Sequence, residues 1–137
     1  MIHTWLRKDA LGYDVHTNRE LGLMLRGTKP LSVFSDQYEA WADVVIRYLT
    51  MFERYVGTGR FEKREYVELR PSGSGEIDRI HVVMFALPHE SWRIDKMIKL
   101  REELSHWSAD AERREGELLG YEGWQNDIWM RERFGRA

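Results

Sequence analysis

The chain has 137 residues, with 21 basic against 23 acidic side chains for a formal net charge of −2, and it contains no cysteine. A single domain over residues 1–137 is expected, with a core of ordinary size and without disulfides, thiolate metal centres or a cysteine nucleophile. A charge this close to zero gathers neither nucleic acid nor an anionic membrane, so neither is expected as a partner.

The opening Met1-Ile2-His3-Thr4-Trp5-Leu6-Arg7-Lys8 lacks the long apolar stretch of a secretory signal, and the longest apolar run, Val82–Leu87, is only strand-sized. Cytoplasmic residence is expected. Alternating residues over 2–7 and 13–16 flank the turn-forming Asp9-Ala10-Leu11-Gly12 and predict a small N-terminal hairpin. Thr17 and Glu20 then form a Thr-x-x-Glu capping box, and Gly27 and Pro30 provide stops, so a helix is expected over 18–26.

Leu31–Phe34 reads as a short strand ending at Ser35-Asp36, where Asp36 and Glu39 are spaced to cap the next helix. In that helix Tyr38, Trp41, Val45, Tyr48, Phe52 and Tyr55 recur at spacings of 3 and 4 until Gly57. Gly57-Thr58-Gly59-Arg60-Phe61-Glu62 begins like a dinucleotide fingerprint. It has Glu62 where the third glycine belongs and follows a helix, so no dinucleotide and no other cofactor is expected.

Glu65–Arg70 and Asp78–Leu87 flank Pro71-Ser72-Gly73-Ser74-Gly75 and predict a β-hairpin. The second strand is apolar on both alternating sets of side chains, which suits a central position. From about Glu90 the pattern turns helical, with Ile94, Met97, Ile98, Arg101 and Leu104 on one side and Asp95–Lys99 as a supporting pair. A further helix near 109–119 carries Asp110 and Arg114 and stops at Gly120, and a last one near 122–134 aligns Tyr121, Trp124 and Ile128. The class implied is α+β: a small, mainly antiparallel sheet, helices packed on one face in about two layers, and a largely helical C-terminal half.

Histidines at 3, 16, 81, 89 and 106 show neither the i,i+4 nor the i,i+2 spacing that sets two imidazoles on one metal, and no metal site is expected. His16 stands where an apolar residue would staple the helix entry, beside Arg19 and Glu20 in a first turn whose free N–H groups favour an anion. One reading follows: a small enzyme for an anionic substrate, with His16 as general base, Arg19 as anion clamp, Glu20 in the binding site, and Asp36 and His81 as further catalytic groups. Plainer roles exist for each. Glu20 would complete the cap, Asp36 would cap a helix, and His81 would be a hydrogen-bonded core histidine.

The favoured reading is a binding or regulatory module that acts through protein–protein contacts of its aromatic-rich C-terminal helices and self-associates as a homodimer. Its basis is the set of six tryptophans. Trp124 and Trp129 lie five residues apart, about 140° around a helix, so one buried stripe cannot hold both. Residues 102–122 hold seven acids against Arg113 and Arg114, whereas Arg60, Lys63 and Arg64 make a small basic group; the two patches are candidates to attract each other or a partner. The expected partners are therefore a protein, a second copy of the chain, or a small anionic ligand.

Overall fold

The computed structural model describes Tyr13, residues 15–103 and residues 108–135. Most of the expected N-terminal hairpin lies outside them. The first element described, α1 (Glu20–Leu25), is shorter than expected and does not start on the Thr17/Glu20 box. Its cap position falls on Arg19, no side chain caps it, and Thr17 Oγ1 is buried without a hydrogen-bond partner. Glu20 turns inward instead and accepts a hydrogen bond from the Tyr48 hydroxyl at 3.0 Å. After α1, Gly27 takes the left-handed φ of 79° that favours glycine, and the N–H groups of Thr28 and Lys29 return to Leu23 O.

The sheet has three antiparallel strands, β1 (Leu31–Gln37), β2 (Glu62–Pro71) and β3 (Ile77–Ala86), in the order β1-β3-β2. β1 runs three residues beyond the expected end, because Ser35, Asp36 and Gln37 find ladder partners in Val82, His81 and Ile80. Pairing along the whole of β3 overrides the local capping signal. Asp36 is thus a strand residue and caps nothing. α2 (Asp43–Gly57) starts after Ala42, and Tyr38 and Trp41 from the expected stripe precede it. The hairpin between β2 and β3 closes as expected through Ser72 N to Glu76 O at 2.7 Å, with Gly75 at a φ of 85°.

The C-terminal half is helical: α3 (Trp92–Glu103), α4 (Ala109–Leu118) and α5 (Gly123–Phe134). Ser108 caps α4, and Glu122 with Gln125 forms a reciprocal capping box for α5. Val82, Met84 and Ala86 of β3, with Leu31 and Val33 of β1, pack against Ile94, Met97, Leu100, Ala111, Leu119 and Trp129 from these helices. Val83 and Phe85 point the other way and pack with Met24 of α1, Phe52 of α2, and Phe61. The α+β class, the antiparallel sheet and the helical second half are as expected. Helices on a single face are not: both faces are covered, in three layers. A large apolar side chain gains roughly 1.5 to 3 kcal/mol on burial, so a central strand that is apolar on both sides draws cover to each.

Gly120, at a φ of 93°, lies against Pro30, and a Cβ there would come within 2.4 Å of Pro30 Cδ. The α4–α5 turn is therefore wedged against the lead-in to β1. Asn126 is buried between α4 and α5, where its Nδ2 donates to Tyr121 O at 3.3 Å. Among the described residues no helix is long and apolar enough to cross a membrane.

Candidate functional site

Three groups of polar side chains stand apart in this frame. The first is a buried knot at the end of the sheet where β1 begins. The Gly27 turn and Pro30 direct Lys29 inward, and its side chain is fully enclosed. Nζ lies 2.8 Å from Leu119 O, at the end of α4, and 2.8 Å from Nδ1 of His16. As an ammonium it donates to both, which requires a neutral His16 ring. That ring stacks on Tyr121 with centroids 3.7 Å apart, while His16 N donates to the Tyr121 hydroxyl at 2.8 Å. Burial pushes the Lys29 pKa down from 10.5 to about 7, against the opposing pull of Glu20 and Glu115. Burial likewise raises the phenols of Tyr121 and Tyr48, the latter to about 12. Beside Glu115 is a cavity of about 30 Å³, bordered also by Val33, Ser35 and Arg101, with room for about one water.

The expected enzyme site does not assemble around this knot. His16 is buried, and its Nδ1 faces Lys29 rather than a cleft. Arg19 is exposed, and its N–H donates to His16 O at 2.8 Å. Glu20 is buried on Tyr48. Asp36 and His81 pair with each other across the ladder at the far end of β1, about 17 Å of strand away from Leu31. The alternative of a hydrogen-bonded histidine therefore describes His81. Its Nδ1 accepts from the Trp41 indole at 2.8 Å, so Nε2 carries the proton and donates to Glu65 at 2.5 Å. Glu65 also takes Lys63, which in turn reaches Glu53. Hydrogen bonds from Lys63 hold the Glu65 carboxyl below its usual range against its partial burial. Both ring nitrogens of His81 are occupied, so it has no free lone pair for a substrate proton. The cations at 60–64 also have partners within the chain: Arg60 donates to Leu25 O, Lys63 pairs with glutamates, and Arg64 reaches Asp95 in an exposed pair.

The third group lines an open groove of about 470 Å³ between α3 and α4. Leu100 and Leu118 contribute apolar surface, and Trp92, 49% exposed, stands beside them. Four cations, Arg93, Lys96, Lys99 and Arg114, face two carboxylates, Glu103 and Glu117. Arg93 is fixed: it bonds Glu90 at 2.7 Å, donates to Glu117 O and Leu118 O at the end of α4, and lies 4.6 Å from the Trp92 ring centroid. Lys99–Glu103 and Arg114–Asp110 are exposed i,i+4 pairs that hold their cations weakly. Lys96 is exposed and has no ion-pair partner among the described residues. Concave shape, an indole and an excess of positive charge coincide here.

Trp129 is 1% exposed, and its indole N–H donates to Glu112 at 2.6 Å, so the core takes the face expected to meet a partner. Trp124 is half exposed, with its N–H on Glu122 at 2.5 Å and its ring edge-on to Tyr13. No motif in the sequence marks the groove, although Trp92, Lys96 and Lys99, spaced 4 and 3, lie along one side of a helix. Lys29 gave no such signal, because a lone lysine between two turn residues carries no period. No protein-family model matches the chain, and neither the curated proteins nor the solved structures include a match to it.

Proposed function

We propose that the protein is a binding module that receives an acidic, partly apolar segment of a protein partner in the groove between α3 and α4. The observation that carries this reading is the excess of cations beside a half-exposed indole in one concave site. Tryptophan and arginine supply much of the binding energy at protein interfaces, and Trp92 with Arg93 stacked on it forms a preordered anchor. Lys96, Lys99 and Arg114 would steer carboxylates toward that anchor, while Leu100 and Leu118 receive an apolar side chain. The volume lies within the roughly 300 to 1,000 Å³ of ordinary ligand sites. The reading keeps the C-terminal helices as the acting surface and moves its centre from α5 to α3, since Trp129 belongs to the core.

Calorimetric titration with a synthetic peptide of alternating glutamate and leucine tests it. Saturable binding is expected, weakened at least about tenfold by Lys96→Glu with Lys99→Glu, and also by Trp92→Ala. Trp124→Ala should leave it unchanged. Absence of binding by the unaltered chain, or binding indifferent to the α3 substitutions, would overturn the proposal.

A further inference from the structure

The two edges of the sheet are finished differently. On β1, Leu31, Ser32 and Val33 are buried. On β2, no residue is buried over ten positions, Val67 is 41% exposed, Leu69 is 68% exposed, and no described strand pairs with its outer side. A long open edge is a template for a further strand. Charged side chains on such an edge repel most partners, so their order decides whether anything fits.

For a second copy, the position of the symmetry axis along β2 fixes which charges meet. Two β2 strands related by a two-fold axis perpendicular to the sheet run antiparallel, and each residue faces one of the same parity, because the axis preserves the faces of both sheets. Centring the axis on Glu62, Lys63, Arg64, Glu65, Glu68 or Arg70 sets that charge against itself, and centring it on Leu69 sets Glu68 against Arg70 but pairs only residues 67–71 of the strand. Centring it on Val67 sets Arg64 against Arg70. Centring it on Tyr66 sets Glu62 against Arg70 and Arg64 against Glu68, each twice by symmetry, with no like charges opposite. Within one chain Arg70 also touches Glu68, Glu68 is held by Arg101, and Arg64 reaches the exposed Asp95, so the junction charges extend these pairs rather than meeting as free ions. That register also pairs the whole stretch from 62 to 70.

We propose that a second copy of this chain docks antiparallel on the β2 edge, centred on Tyr66, to make one continuous six-stranded sheet. Opposite charges across the junction set its register, and main-chain hydrogen bonds along the edge hold it. On the face toward α2, Val67 and Leu69, exposed in the single chain, gain cover: Val67 lies opposite Glu65 and diagonal to Val67 of the second copy, and Leu69 lies along the stem of Lys63. The inference is independent of the α3–α4 groove, which lies on other elements.

Sedimentation velocity on the full chain is the test, with charge exchange as its control. The unaltered protein is expected to form a dimer in the micromolar range. Arg70→Glu, which sets Glu opposite Glu62, should weaken it about tenfold, because symmetry counts the change twice. Adding Glu62→Arg in the same chain should restore it. Both positions are exposed, and although Arg70→Glu gives up the Arg70–Glu68 pair of the single chain, Glu68 keeps Arg101, so folding is not at stake. Because the chain has no cysteine, Tyr66→Cys should give a disulfide-linked dimer on mild oxidation, whereas Leu69→Cys, far from its own copy, should not. A monomer at every accessible concentration would overturn the proposal. So would a dimer indifferent to Arg70→Glu, or one linked as readily through Leu69→Cys as through Tyr66→Cys.

Discussion

Lys29 and Lys96 bring the same side chain into opposite surroundings. Lys29 is sealed between His16, Leu119 O, Glu20 and Glu115, and its charge is spent joining residues 16–20, the lead-in to β1 and the end of α4. Lys96 stands in water beside Trp92, with its charge unspent. A buried cation holds the molecule together and is closed to a ligand; an exposed one does little for stability and is open to a partner. On this ground the groove, rather than the more heavily populated knot, is the surface for function.

The largest effect is expected at Lys29. Lys29→Met removes the amine that bonds Leu119 O and His16 Nδ1 and leaves two buried acceptors without it, a change expected to cost about 2 to 5 kcal/mol in urea unfolding at neutral pH. A variant as stable as the parent would mean that the knot holds nothing together.

The same lysine should give stability a pH dependence. Its pKa is about 7 in the fold against 10.5 without it, so below pH 7 both states are protonated and the cost of burying the charge is fully present. Between pH 7 and 10.5 the unfolded chain keeps a proton that the folded chain has lost, and stability rises with pH, by up to about 1.4 kcal/mol per unit. Urea midpoints measured from pH 7 to 9.5 should climb for the parent relative to Lys29→Met. Parallel curves would contradict this assignment.

A smaller loss is expected at Trp129. Trp129→Phe keeps most of the core volume but deletes the indole donor to the buried Glu112, at about 1 to 3 kcal/mol. Smallest of all is the groove itself, where Lys96→Glu should change stability by less than about 0.5 kcal/mol while it weakens the binding of the acidic peptide. A large loss of stability there would make Lys96 a structural residue and remove the contrast with Lys29.

The regular elements were legible where local pattern and packing agree. The stripe through Tyr48, Phe52 and Tyr55, the two-faced β3, and the stops at Gly57 and Gly120 all lie where periodicity and turn chemistry place them. Legibility failed where distant chain decides. Asp36 has the spacing of a helix cap, yet β3 offers it a ladder position. Glu20 has the spacing of a capping box, yet Tyr48 from α2 draws it inward. His16 was visible as a polar residue in an apolar position, but its neighbours Lys29 and Tyr121 come from separate parts of the chain. The groove belongs to α3 and α4 together, so either helix alone displays only a charged side.

The six indole N–H groups offer the most direct test of the groove as the working surface, because each gives its own signal in a two-dimensional proton–nitrogen NMR spectrum. On addition of the alternating glutamate–leucine peptide, the account predicts that the Trp92 signal shifts and saturates while the Trp129 signal, held on Glu112, stays in place. A spectrum in which Trp92 does not move, or in which Trp124 moves and Trp92 does not, would contradict it.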